Sequence, residues 1–315
     1  MTAPVKRDSS WSEIGTFLPI TFLTSWLLWF VGIRLHVREE FFVFGVAGPA
    51  IAAALMLMLR RANVRLLPGL FLLLLAIGWV VLMLADSSKV GLRAIDWNPL
   101  LILPALLPAL SGAFFVGAAE IRWPGWRWPL IAALAMPAFL LIPAFVAHFV
   151  SLPIIQPRRE ESMPIAISAA AVLFVKQLLF AGLLEEPGWR GWLLPRLQRR
   201  FSPLVSSLFV WFPWALWHAP LDFTGSVGRT WLNYLQLRLV FFIPITILLT
   251  WLYNRSRGSI LVVALFHAGF NTFPFVLPYS PPFMVLIFVW AALVLIADRM
   301  WCFQIQPNDQ HQAHA

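Results

Sequence analysis

Apolar runs of about 20 residues, broken by short polar connections, recur along nearly the whole 315-residue chain. As an α-helix, a run of that length crosses the roughly 30 Å hydrocarbon core of a bilayer. Inside lipid every backbone N–H and C=O needs a partner within the protein, which leaves helices as the solution for such runs. Candidate spans lie near 16–35, 41–59, 66–85, 99–119, 129–150, 165–186, 203–221, 232–253, 259–278 and 283–300. They predict an all-α fold, a polytopic bundle of about 8–10 transmembrane helices. Residues 1–15 are expected to form a cytoplasmic N-terminal segment, 16–300 a single transmembrane domain, and 301–315 a polar, disordered tail. The polar start MTAPVKRDSSWSEIG lacks a cleavable signal pattern, so the first span is expected to act as an uncleaved signal-anchor.

Composition removes the main competing classes. Only 12% of residues are charged and 60% are hydrophobic, against about 25% charged in a soluble domain. The net charge of +9 invites a nucleic-acid partner, but the basic residues scatter over span ends and form no stripe. No nucleic acid is expected, and the lipid bilayer is the partner. With the N-terminus inside, thirteen Lys and Arg fall on the inner side and seven on the outer. That excess places both termini in the cytoplasm and the protein in a plasma membrane of bacterial inner-membrane type. The seventeen Trp and twenty-seven Phe fit residues that sit at the headgroup level and pack between helices, with lipid-facing bulk as the plainer reading for most of them. Cys302 is the single cysteine and excludes an internal disulfide. No repeat is evident, which counts against an inverted-repeat transporter.

Chemistry concentrates in three stretches. EEPGWR, Glu185 to Arg190, ends the apolar run that starts at Ile165, and ionisable groups at membrane depth point to function. Successive helical residues diverge by about 100°, so Glu185 and Glu186 are not expected to face one site. Glu186 and Arg190 have the i,i+4 spacing of an ion pair, acid first. The economical division makes them a structural pair and frees Glu185 for chemistry, although Pro187 and Gly188 are placed to kink the helix between them. Trp214 and His218 share one face of the seventh span, and His267 and Asn271 one face of the ninth. A turn at Phe201–Pro203 lies midway between Glu185 and His218, which would bring both to one level. That level falls in the cytoplasmic half of the membrane if the basic PRLQRR end of the hairpin projects from the bilayer. His36, His148, His311 and His314 lack polar companions and are expected to be incidental.

These three stretches, Glu185-Glu186-xxx-Arg190, Trp214-xxx-His218 and His267-xxx-Asn271, resemble the motifs of the CPBP family of intramembrane proteases. That family, CAAX protease and bacteriocin-processing (also called ABI), is related to the CAAX prenyl endopeptidase. The resemblance covers about 165–278, and Trp214 stands where the family often has Phe, a departure expected to touch packing more than chemistry. It implies endoproteolysis of a membrane-associated peptide or protein near the membrane. Glu185, helped by His218, would activate water, and His267 with Asn271 would stabilise the oxyanion. A carboxylate in an apolar site is a stronger base, and Asn and His are suitable oxyanion donors. Members are often labelled metalloproteases, since Glu185, His218 and His267 match a catalytic zinc set. No metal or other cofactor is the favoured expectation, because an oxyanion role uses His267 and Asn271 together, and HExxH is absent. A proton-coupled transporter and a non-catalytic immunity or scaffold protein are the competing functions for the same residues.

Overall fold

The computed structural model describes residues 10–35, 44–60, 69–77, 125–156, 163–224 and 230–303. The candidate span at 99–119, most of that at 66–85, and His36, His311 and His314 lie outside the described residues. Among the described residues the fold is an all-α membrane bundle. No strand occurs, and one isolated antiparallel bridge joins Ile155 to Tyr279. The long helices are α1 (Ser10–Leu35), α2 (Gly48–Arg60), α3 (Arg127–Phe149) and α4 (Met163–Gln177). After α4 the helix continues through a π segment (Leu178–Gly182), α5 (Leu183–Glu186), a second π segment (Pro187–Leu193) and α6 (Leu194–Gln198). Next come α7 (Pro203–Trp217), α8 (Ala219–Thr224), α9 (Trp231–Tyr234), a third π segment (Leu235–Phe241) and α10 (Phe242–Arg255). The bundle closes with α11 (Ile260–Val276) and α12 (Pro282–Ala297).

Four helices are long and apolar enough to cross a membrane: 11–34, 127–149, 203–223 and 231–255. Shorter apolar helices at 48–59, 260–276 and 282–297 fill the bundle between them. The expected turn lies at Phe201–Pro203. Ser202 caps α7 by accepting from the Val205 N–H at 3.3 Å, and Pro203 takes the first helical position, where its missing N–H costs nothing.

The tryptophans divide between packing inside the bundle and positions at helix ends. Trp29, Trp189, Trp192, Trp214 and Trp217 are fully buried, not lipid-facing. Phe17 stacks on Trp192 at 4.5 Å, and Trp217 lies 4.8 Å from Trp29 and 6.0 Å from Trp189. These rings form an aromatic layer between α1, α7 and the second π segment. The exposed Trp11, Trp126, Trp231 and Trp301 sit at helix ends, where an interfacial belt is expected. Small residues decide how close the backbones come. A Cβ on Gly188 would lie 2.4 Å from the Pro49 backbone, and one on Gly182 would lie 2.9 Å from Ala264. Gly182 therefore sets α11, which carries His267, directly against the segment that carries the two glutamates.

Candidate active site

Prolines shape the helix that presents the acids. Pro187 has no N–H for the Leu183 carbonyl, and Pro195 none for that of Gly191. Between them the helix widens into the second π segment, and the Leu194 N–H donates five residues back, to Trp189. Wide turns of this kind recur at functional sites because they re-aim side chains within a continuous helix. Here the widening keeps the Glu186–Arg190 pair that the proline was expected to loosen. Arg190 Nη1 donates to Glu186 Oε1 at 2.9 Å and to Oε2 at 3.0 Å, with both side chains fully buried.

Glu186 does more than that pair. Its Oε1 also accepts from His267 Nδ1 at 2.7 Å, so the residue assigned by spacing to a structural pair also orients the α11 histidine. Glu185, 4% exposed, accepts at Oε2 from the indole Nε1–H of Trp214 at 2.9 Å. Arg190 and His267, the partners of Glu186, lie against the same ring, so the two glutamates do border one site, contrary to the expectation from their separation of about 100°. The sequence reading of Trp214 as a packing variant is thereby corrected, since its N–H solvates the carboxylate that phenylalanine would leave bare. Its backbone carbonyl accepts from His218 Nδ1 at 2.7 Å. That bond fixes the tautomer and leaves the His218 Nε2 lone pair for chemistry. His218 sits just past the end of α7, and it keeps the helical i,i+4 relation to Trp214.

The Trp214 ring is the hub of the site. Phe242 stacks on it at 4.5 Å and 27°, the guanidinium of Arg190 lies 4.4 Å from its centre, and the rings of His218 and His267 meet it edge-on at 5.6 and 5.5 Å. A desolvated cation–π contact contributes about 2 kcal/mol and an aromatic pair about 0.5–1.5 kcal/mol. Trp214 therefore holds four of the site's groups at once. The exposed carbonyls at the end of α7 are tied down as well. Tyr234 Oη donates to the Ala215 carbonyl and Trp26 Nε1 to that of Trp217, each at 3.0 Å.

Glu185, Glu186, Arg190, His218 and His267 thus gather around Trp214, while Asn271, one turn after His267 on α11, is bonded outside that group. Asn271 Nδ2 donates to Gln177 Oε1 at 3.1 Å, and its second N–H remains available. Gln177, Trp214 and Phe242 are site residues that spacing did not assign a role, because their partners lie 94, 29 and 28 positions away along the chain. His148 lies on the surface of α3 beside Phe149, as its isolation suggested. For zinc, the ligands would have to be Glu185, His218 and His267. Among the described residues no three His, Cys, Asp or Glu side chains form a metal-binding group. One ring nitrogen of each histidine and one oxygen of Glu185 are already bonded. Each keeps one open donor atom, and histidine ligands commonly donate their other ring N–H to a protein oxygen, so this bonding is compatible with a metal-bound and a metal-free site alike.

A family described as Type II CAAX prenyl endopeptidase Rce1-like matches residues 166–273, a segment that holds all six motif residues. Over that segment the chain is similar to the CAAX protease (CPBP) family. Among curated proteins it is similar to "CAAX prenyl protease 2" of Methanococcus maripaludis, 27% identical over 183 residues. That match covers 55% of this chain and 67% of the relative. The CAAX-family segment coincides with the part of the bundle that builds the Trp214 hub, from α4 to α11. With its four long apolar helices, the chain is an integral membrane protein.

Proposed function

We propose that this CAAX-family protein hydrolyses a peptide bond near the C-terminus of a membrane-associated substrate, with Glu185 as general base. The observation that carries the proposal is the two-sided bonding of Trp214. Its indole N–H holds Glu185 and its carbonyl holds His218, so a carboxylate oxygen and an imidazole Nε2 are left for the same water. Glu185 takes a proton from that water while His218 Nε2 accepts its other hydrogen bond. The hydroxide adds to the scissile carbonyl carbon. The resulting oxyanion is stabilised by the second Nδ2–H of Asn271 and by the ring of His267, which Glu186 orients. The C–N bond then breaks and Glu185 returns its proton to the departing amine, leaving a carboxylic acid and an amine, which part as carboxylate and ammonium.

No metal takes part in this scheme, in which Glu185 and His218 activate the water directly and His267 is paired with Asn271 on one face of α11. The relatives' printed names point to a C-terminal C-a-a-X substrate carrying a prenyl group on its cysteine. The inner-membrane location and cytoplasmic termini follow the positive-inside count, with the site open to the cytoplasm. Cysteines introduced near Arg196 and Arg257 should react with impermeant thiol reagents only in opened cells. Substrates are found by comparing membrane peptides from cells with the wild-type chain and with Glu185→Ala. Peptides shortened near their C-termini only in the wild type are expected, and identical peptide sets would overturn the endopeptidase assignment.

A further inference from the structure

A second buried carboxylate–arginine pair stands beside the hub, and neither the motifs nor the mechanism above uses it. Arg238, in the third π segment, donates from Nε to Asp222 Oδ2 at 2.7 Å and from Nη2 to Asp222 Oδ1 at 3.1 Å. Asp222 is 1% exposed and the Arg238 side chain 13%. The Arg238 guanidinium lies 4.7 Å from the centre of the Phe242 ring, and Phe242 stacks on Trp214 and meets the edge of His218 at 5.6 Å. Two carboxylate-bound arginines, Arg190 and Arg238, thus flank a pair of stacked rings that carries the catalytic histidine on its edge.

The two arginines differ in what they leave open. A guanidinium has five N–H donors in a planar fork. Asp222 occupies the side edge of Arg238, formed by Nε and Nη2, so the end edge formed by Nη1 and the second Nη2–H points away from it. That edge matches the two oxygens of another carboxylate. The two ring spacings laid end to end put Arg238 Cζ no more than about 9 Å from the centre of Trp214, whose N–H touches Glu185. An extended peptide advances about 3.3 Å per residue, so three or four residues bridge from a bond attacked at Glu185 to the end edge of Arg238.

We propose that Arg238, held in orientation by Asp222, binds the terminal α-carboxylate of the substrate and so measures the distance from scissile bond to chain end. This rests on the endopeptidase assignment, and it makes Arg238 a specificity-determining residue and Asp222 a positioning residue. The test uses the full-length chain in detergent with Glu185→Gln, so that binding is read without turnover. The probes are a fluorescein-labelled S-farnesyl peptide ending in a free carboxylate and the same peptide ending in an amide, read by fluorescence anisotropy. The amide is expected to bind about tenfold to a hundredfold more weakly, the loss of a charge-assisted bond pair. Adding Arg238→Gln with Asp222→Asn removes the fork without stranding a buried charge, and both peptides should then bind at the affinity of the amide. Arg238→Lys, with charge but no fork, should discriminate less than the arginine. Equal binding of the two peptides to intact Arg238, binding of neither, or discrimination that survives the double replacement overturns the proposal. If the discrimination holds while purified wild-type chain cleaves neither peptide, the carboxylate site stands and the endopeptidase assignment falls.

Discussion

Two arginine–carboxylate pairs bracket the Trp214–Phe242 rings, and they are built differently. Glu186 and Arg190 are one helical turn apart on one element, and both are wholly enclosed. Asp222 and Arg238 are 16 residues apart on α8 and the third π segment, and the arginine retains some exposure. A buried charge without a partner is costly, whereas an intact pair adds little net stability over apolar packing. An enclosed pair is therefore best explained as the support of something else. For Glu186 that something is His267, which shares its Oε1. The half-open pair has an arginine edge left over, which suits a ligand. The closed pair orients His267, and the open one leaves a guanidinium edge for the proposed carboxylate.

The comparison breaks first at the closed pair. Arg190→Ala strands Glu186 in the core and removes the contact to the Trp214 ring, and a loss of about 3–5 kcal/mol is expected. Thermal unfolding in detergent measures it. An unchanged Tm would mean that Glu186 is not held by Arg190. The half-open pair should be more forgiving. Arg238→Gln leaves Asp222 a neutral donor, and a loss of about 1.5–3 kcal/mol is expected, the range of one hydrogen bond to a charged group. A Tm drop as large as that of Arg190→Ala would erase the distinction between the pairs.

Trp214→Phe probes the rings between the pairs. The stack on Phe242 survives, while Glu185 loses its one indole donor, so stability should fall by only about 1–3 kcal/mol. Peptidase activity should fall further than that through kcat, with KM little changed. Equal activity in the phenylalanine variant would show that the indole N–H is dispensable. The smallest effect is expected for Gln177→Ala, which frees the Asn271 amide to rotate and costs about 1 kcal/mol or less. A kcat reduced severalfold with an unchanged Tm would mark Gln177 as a positioning residue.

The sequence made some of this legible and hid the rest for physical reasons. Glu185, Glu186, Arg190, His218, His267 and Asn271 stood out because polar groups on apolar helices are few and their i,i+4 spacings are local. The Phe201–Pro203 turn was visible for the same reason. The indole bond of Trp214 to Glu185, the Gln177–Asn271 bond and the Asp222–Arg238 pair depend on which helices pack together, and no local spacing encodes that. Composition alone did not say which tryptophans anchor and which pack, and it is the helix packing that puts Trp29, Trp189, Trp192, Trp214 and Trp217 in the interior. Pro187 looked like a break, yet the π segment after it absorbs the missing hydrogen bond and preserves the ion pair.

Glu185 separates the catalytic account from every structural one, because its carboxylate has a single bonded oxygen and no arginine partner among its hydrogen bonds. The direct measurement is hydrolysis of an S-farnesyl C-a-a-X peptide by purified chain after extended chelation, comparing wild type with Glu185→Gln at matched Tm. The account predicts that the chelated wild type cleaves the peptide and that Glu185→Gln, equally stable, does not. Full cleavage by Glu185→Gln, or activity that vanishes on chelation and returns only with added zinc, would contradict it.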